Sequence, residues 1–357
     1  MSDLQDDSLI IRTWHEITVN ALHSRATDIH IEARLQETLV RIRVDGHLEF
    51  QSRHPIDLHE RLITRIKILA RLDIGEKRLP QDGRLCVGYD FCNPNIDCRV
   101  SILPTLYGEK AVVRILPSQT EDLKLDKLGL LPEQLEVLRS ALCQSNGLIL
   151  VTGPTGSGKT RTLYSCLSEL NLTHRNLCSI EDPIEIRLPG VNQVAYHPRA
   201  GLDFACIIRA LLRQDPDVIM IGEIRDTATA QLAIQAAQTG HLVLSTLHTR
   251  NAKGSLSRLK SLGVDQESID SCLRCVSSQR LIRALCQDCL NDPNNISCKA
   301  CKGSGYFGRI GVHEILNAQL LSHAELDYLD MHTAGMHHVH ARLINEANLA
   351  AEVGTWQ

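Results

Sequence analysis

The stretch Gly153-Pro154-Thr155-Gly156-Ser157-Gly158-Lys159-Thr160 decides how this chain is read. It fits G-x-x-x-x-G-K-T and stands between an apolar run, Leu148 to Thr152, and a helical start at Arg161-Thr162-Leu163. Its glycines allow several backbone N–H groups to turn toward one anion, and the helix that follows adds the positive end of its dipole. In such a loop Lys159 reaches the β- and γ-phosphates of ATP, and the Thr160 hydroxyl ligates Mg²⁺. Residues Gly153 to Arg161 are therefore the candidate nucleotide site. A chance glycine-rich turn would lack the strand before it and the helix after it.

Downstream, Asp215-Pro216-Asp217-Val218-Ile219-Met220-Ile221-Gly222-Glu223-Ile224-Arg225-Asp226 reads as an apolar strand with a carboxylate at its C-terminal tip. That tip is where open α/β sheets put their sites. Glu223 has the place of an acidic partner for a Mg²⁺-bound or attacking water. Leu148 to Thr152, Leu177 to Glu181, Val218 to Gly222 and Leu242 to Thr246 are apolar runs alternating with helical segments, the pattern of a parallel sheet covered by helices.

Upstream, residues 1–117 read as a separate α+β domain. Asp28 to Glu32 alternates polar and apolar, Leu39 to Val44 runs into the turn Asp45-Gly46, and Asp57 to Leu72 carries Leu58, Leu62, Ile66 and Leu69 at helical spacing. Arg84 to Tyr89, Ile96 to Ile102 and Ala111 to Leu116 follow as β-like runs, and the apolar positions around Trp14 fit one helix. Residues 118–131 read as a linker. Residues 132–357 form the nucleotide-binding domain, including a cysteine element at 286–301 and a helical region at 315–357.

Among 357 residues, 42 are acidic and 38 basic, giving a net charge of −4, and only 3% are aromatic. Neither value suits a nucleic-acid binder, which needs a basic surplus or stacking platforms. The first residues carry neither a basic n-region nor an apolar h-region, and no apolar run approaches membrane-spanning length, so a cytoplasmic location is expected. Thirteen cysteines are then too many for a disulfide framework in a reducing compartment.

Spacing sorts them. Cys286-x-x-Cys289 and Cys298-x-x-Cys301 are two pairs separated by eight residues, four thiolates suited to one tetrahedral Zn²⁺. All four positions being filled, the site is structural rather than catalytic; the other reading is exposed free thiols. Cys272 and Cys275 fall in an expected helical segment, Ile269 to Leu285, and read as core packing. Cys86, Cys92 and Cys98 lie on or between strands, and the nine cysteines outside the two pairs all read as core thiols.

Taken together these motifs resemble the ATPases of type II secretion and type IV pilus assembly, a family of hexameric RecA-like motors. The likeness runs from about residue 20 to 315. It includes Ala26 to Glu32, Arg41 to Gly46, Arg78 to Arg84, Arg99 to Thr105 and Gly108 to Arg114 in the first domain, which by resemblance is PAS-like. In the second, Ser179 to Glu185 is similar to the family's Asp box, Gln214 to Asp226 to its Walker B, and Thr239 to Thr249 to its His box.

The resemblance implies roles. Glu181 and Glu185 orient or deprotonate the attacking water, Glu223 supports the metal shell, and His241 and His248 contact the γ-phosphate region. Arg84, Arg99 and Arg114, on separate strands and not expected to bind one another, include sensors or fingers closing over nucleotide; ordinary exposed strand arginines are the alternative. The tetracysteine element is similar to that of the assembly and secretion branch.

The chain also departs from the family. Ala228 stands where Glu is usual, Arg250-Asn251 replaces Asn-Asp, and the last forty residues align poorly. There His337, His338 and His340 read as a solvated turn, with metal binding the alternative. About 25 residues precede Asp28, so the extra docking domain common in relatives is not expected.

The expected function is a motor ATPase, a homohexamer at the cytoplasmic face of the inner membrane, reaching the membrane only through a platform protein. It powers pilin or pseudopilin assembly, the competence pseudopilus included. The alternatives are a catalytically weak nucleotide-binding scaffold and, disfavoured by charge, a DNA-translocating ring.

Overall fold

The computed structural model describes residues 2–90, 96–116, 123–290, 297–318 and 328–354, the side chains of 2–7 excepted. The chain divides into two compact units, Met1–Gln119 and Thr120–Gln357.

The first unit opens with α1 (Ser2–His23), then β1 (Asp28–Ala33), β2 (Glu37–Val44) and β3 (His47–Pro55), α2 (His59–Ala70), and β4 (Gln81–Val87), β5 (Ile96–Thr105) and β6 (Gly108–Ile115). Its antiparallel sheet runs β3-β2-β1-β6-β5-β4. Asp45 and Gly46 both adopt positive φ, as a two-residue hairpin turn matched to strand twist requires. Alternation then sorts the faces. Ile29, Ile31, Val40, Ile42, Val100 and Val113 pack with Leu62 and Ile66 of α2 and with Trp14 and Ile17 of α1.

The opposite face carries charge. Arg84 pairs with Arg99, Arg99 with Arg114, Arg114 with Asp28 and Asp28 with Arg43, so these side chains form one row across five strands. The three arginines, on separate strands as expected, are cross-strand neighbours, because the register slips by nothing between β4, β5 and β6. Arg114 Nε donates to Asp28 at 2.8 Å, and Arg43 lies 3.9 Å from the same carboxylate.

The second unit contains α3 (Pro132–Leu142), β7 (Gly147–Thr152), α4 (Lys159–Leu170), β8 (Leu177–Glu181), β9 (Val191–Ala195), α5 (Phe204–Leu211), β10 (Val218–Ile221), α6 (Thr227–Gln238), β11 (Leu242–Leu247), α7 (Ala252–Ser261), α8 (Gln266–Cys272), β12 (Leu273–Leu285), β13 (Tyr306–Asn317), α9 (Met331–His340) and α10 (Glu346–Val353). The sheet order is β13-β12-β7-β11-β10-β8-β9. All neighbours are parallel except β13 against β12. Every residue of β7, β8, β10 and β11 is buried, as both-face coverage demands. On β7, Leu148 and Leu150 join the core on one face, while Ile149 and Val151 join the other with Leu138 of α3 and Leu163 and Leu167 of α4.

The helix expected from Ile269 to Leu285 is corrected: α8 ends at Cys272 and β12 begins at Leu273. A strand buried between β7 and β13 shows no clean alternation, so its apolar run is indistinguishable from a buried helix by periodicity. Cys272 and Cys275 are nonetheless core thiols, pushed up by burial to about 11 and about 12. Cys98 is buried too, but Cys86, Cys143 and Cys206 are exposed, which corrects their reading as core; Cys92 lies outside the described residues.

The histidine cluster is helical, not a turn. In α9, His338 is buried and its Nε2–H donates to the Gly129 carbonyl at 3.0 Å, while His337 and His340 are exposed. The end of the expected linker is held by a further contact, and the helix after it by another. His313 Nε2–H donates to Leu128 O at 3.1 Å, and Gln134 Nε2 donates to His313 O at 2.6 Å.

Candidate nucleotide site and cysteine centre

Because β7, β11, β10 and β8 run parallel, their C-terminal ends form one edge, and the loop Gly153 to Gly158 leaves β7 there. Gly153 adopts φ +141°, and a Cβ on it would fall 2.6 Å from both Gln279 O and Ser157 Oγ. Only glycine lets β12 and the loop approach this closely. Ser157 Oγ is buried and makes no hydrogen bond, a polar atom in the cradle that a phosphate oxygen fits. Lys159 Nζ bridges the loop, donating to Gly153 O at 2.9 Å and Pro154 O at 2.8 Å. Burial pulls its ammonium below the usual lysine range; Glu223 opposes that shift and Arg280 adds to it. Thr160 is half-buried in the first turn of α4, and Pro154, Thr155, Gly156 and Arg161 are exposed around it. These residues fit ATP with Mg²⁺ at Thr160.

Glu223 follows β10 on the same edge. Its carboxylate lies 2.5 Å from Arg225 Nη2 and 3.5 Å from His248 Nε2, and His248 directly follows β11. The structure therefore brings Lys159, Glu223 and His248 to one edge of one sheet.

His241 is a correction. It precedes β11, its carbonyl accepts the N–H of Gly147 at the first residue of β7, and its Nδ1–H donates to Ala236 O at 3.0 Å. It thus sits at the N-terminal edge of the sheet, a full strand length from Gly153. Two histidines seven positions apart around a straight strand cannot meet at one phosphate.

Glu181 and Glu185 also part company. Glu181, at the end of β8, is buried; it accepts hydrogen bonds from Tyr164 Oη, from Ser179 Oγ at 2.6 Å and from Gln193 Nε2 at 3.0 Å. Enclosed to 4% exposure and engaged by three donors, this carboxylate is largely shut off from a water over the loop. Burial, with Glu181 beside it, raises the Tyr164 phenol above its ordinary value, and its oxygen accepts the backbone N–H groups of Glu185 and Ile186 at 3.2 and 3.3 Å. Glu181 therefore positions the segment on which Glu185 stands exposed.

Sequence reasoning missed Gln279 and Arg280 of β12. Gln279, 2% exposed, donates from Nε2 to Ser157 O at 2.7 Å and accepts from Thr162 Oγ1 at 2.8 Å. Arg280 donates to Arg250 O at 2.7 Å, two residues beyond His248. Four consecutive polar residues, Ser277 to Arg280, between apolar flanks were the available signal; the mistaken helix concealed which strand they faced.

The four cysteines converge. Their Sγ atoms all lie within 4.8 Å of one another, with Cys286–Cys298 at 3.8 Å and Cys289–Cys301 at 3.6 Å. Thiolates ~2.3 Å from one tetrahedral ion stand roughly 3.8 Å apart, so the set fits a metal such as Zn²⁺. Burial acts to raise the Cys301 thiol, but the Gly305 N–H and the Cys298 and Cys289 thiols outweigh it and bring it down to about 6. The four are held at the tip of the β12–β13 hairpin, Cys286 following β12 directly.

Arg84 and Arg114 are exposed and Arg99 half-buried, all in the first unit's charged row. No helix among the described residues is long and apolar enough to cross a membrane.

Comparison with known proteins places these features. Residues 3–354 match the family described as Type II/IV secretion system protein. The chain is 45% identical over 333 residues to Type II secretion system protein E of Pectobacterium carotovorum subsp. carotovorum, covering 88% of this chain and 66% of that protein. It is 43% identical over 338 residues to the Type IV pilus assembly ATPase PilB of Acinetobacter baylyi, covering 88% and 58%. The chain thus spans about two thirds or less of the length of these two relatives. Among solved structures, the pilus retraction motor PilT with bound ADP superposes with TM-score 0.65 at 26% identity, over 94% of this chain and 95% of that one. With a phosphate loop, an acidic strand tip and a tetracysteine hairpin on one α/β framework, the chain belongs to the Type II/IV secretion system protein family.

Proposed function

We propose that this chain is an ATP-hydrolysing motor that drives pilin or pseudopilin assembly in a type II secretion or type IV pilus apparatus. The carrying observation is the Gly153–Thr160 loop on the same sheet edge as Glu223 and His248, with Lys159 spanning the loop. Phosphoryl transfer to water needs charge neutralisation, an in-line water and a group to hold it. Lys159 and the loop N–H groups bind the phosphates. Mg²⁺ at Thr160 supplies further positive charge when bound. Glu223, oriented by Arg225 and His248, and the exposed Glu185 are carboxylates available to water at this edge.

On this reading the second unit is a RecA-like domain with zinc at Cys286, Cys289, Cys298 and Cys301, and the first a PAS-like domain. The protein acts as a homohexamer at the cytoplasmic face of the inner membrane, against a platform protein. Arg84, Arg99 and Arg114 present three neighbouring cations, a surface suited to a polyphosphate offered by another subunit.

Steady-state ATP hydrolysis by the purified chain and by Lys159→Ala tests the reading. Turnover by the parent chain that disappears in the variant supports it. Unchanged turnover in Lys159→Ala overturns the assigned site, and nucleotide binding without turnover, with the platform protein present, replaces the motor by a scaffold.

A further inference from the structure

We infer that Gln279 is a positioning residue for the phosphate loop, holding it in its anion-binding form from the neighbouring strand. Its amide is used twice. Nε2 donates to Ser157 O at 2.7 Å and Oε1 accepts from Thr162 Oγ1 at 2.8 Å, so one buried side chain ties the loop and the second turn of α4 to β12. Thr162 and Gln279 are 1% and 2% exposed, so water does not substitute for either contact.

The bond to Ser157 sets direction as well as distance. In a trans peptide the carbonyl and the following N–H point oppositely. Anchoring the Ser157 carbonyl on β12 therefore turns the Gly158 N–H away from β12, toward the hollow of the loop. Gln279's own carbonyl crowds Gly153 at the other end of the loop, where a Cβ would lie 2.6 Å from it. One residue thus braces both ends of the phosphate cradle. Its neighbour Arg280 ties β12 to Arg250, in the segment that carries His248. β12 thus touches both the loop and the segment after His248, whose strands β7 and β11 also pair with each other directly, and it leads on to Cys286.

The inference rests on the proposed nucleotide site, and its test separates the two. Dissociation constants of a fluorescent ADP analogue with Mg²⁺, and kcat and KM for ATP, are measured on the full chain carrying Gln279→Met, Gln279→Glu, Thr162→Val, the Gln279→Met/Thr162→Val pair, or Lys159→Ala. Methionine keeps the volume and removes both contacts; glutamate keeps an acceptor for Thr162 and turns a carboxylate on the Ser157 carbonyl.

Both Gln279 variants should weaken ADP binding roughly 10- to 100-fold, the usual cost of losing a partner that orients a binding group. The pair should be no worse than Gln279→Met alone, since the two side chains act as one unit. A merely structural Gln279 would lower the melting temperature and leave the dissociation constant, taken well below it, unchanged; that result, or additive losses in the pair, overturns the proposal. Should Gln279→Met not fold, Gln279→Glu against Thr162→Val decides it, equal affinities in those two and the parent counting against. Lys159→Ala that binds and turns over like the parent condemns the site reading itself, whatever Gln279 does.

Discussion

His248 Nε2 stands 3.5 Å from Glu223 Oε2, across the ends of two adjacent parallel strands, with Arg225 closing on the other carboxylate oxygen at 2.5 Å. The carboxylate is thus oriented from two sides at the edge where Lys159 lies. Glu223→Gln should lower kcat for ATP about 10²- to 10⁴-fold, the usual contribution of a positioned acid–base group, and leave nucleotide binding near its parent value. Phosphate-release kinetics beside a binding titration check it, and parent-like kcat removes Glu223 from the reaction.

Tyr164→Phe isolates the network behind Glu181. It withdraws one of three donors from a buried carboxylate and the acceptor of the Glu185 and Ile186 N–H groups. A loss of about 1–3 kcal/mol in unfolding free energy is expected for a buried polar group left short of a partner. Denaturant titration of the two proteins measures it; an unaltered midpoint would mean the network relaxes without cost.

The four converging thiols predict one zinc per chain, read by elemental analysis of the purified protein. Cys289→Ser should lose the metal and open the hairpin tip, seen as new protease cleavage beside residues 286–305. Full protection of that tip in metal-free protein would show that the fold closes the element without an ion.

Acid should weaken the second unit before carboxylates titrate. His313 is fully enclosed, and burial holds its imidazole down at about 4, with His338 pulled down in the same direction. A folded value below the unfolded one means that the unfolded chain takes up the proton first. Stability is therefore full above pH ~6.5 and falls as pH drops toward 4, by up to about 3 kcal/mol for His313. In the first unit, burial of Glu32 is outweighed by Arg41 and Lys110, which bring its carboxyl to about 2, so its contribution persists to lower pH. Unfolding free energies of the parent and His313→Gln at several pH values test the window, and equal slopes refute it.

Arg84, Arg99 and Arg114 stand in register, with Asp28 at the end of the row beside Arg114. If the row of Arg84, Arg99 and Arg114 serves a neighbouring subunit's nucleotide, Arg84→Ala and Lys159→Ala should each be inactive alone and partly recover turnover when co-assembled. Absence of recovery in mixed assemblies assigns the arginines to their own sheet.

Much of this molecule was legible along the chain. The four central strands, the hairpin at Asp45-Gly46, the phosphate loop and the cysteine pairs are each local. Their signal lies in a short run whose residue types have only one use together. β12 was not legible, because a strand covered on both faces loses the period-two pattern, and β13 suffered from the same lack of contrast, its end at Asn317 falling inside the helical region expected from residue 315. With β12 read as helix, nothing indicated that Gln279 faced Ser157.

The sequence by itself determined the chemistry on offer: which residues make up the glycine-rich loop, which carboxylate ends the acidic strand, and which thiols come in two closely spaced pairs. Tertiary structure alone decided who meets whom. It put His248 at the site and His241 a strand away, enclosed Glu181 behind Tyr164, aligned three arginines in one row, and set Gln279 against the loop. The physical reason is that strand order, register and the face a side chain takes arise from pairings between segments far apart in the chain. No local run of residues carries that information.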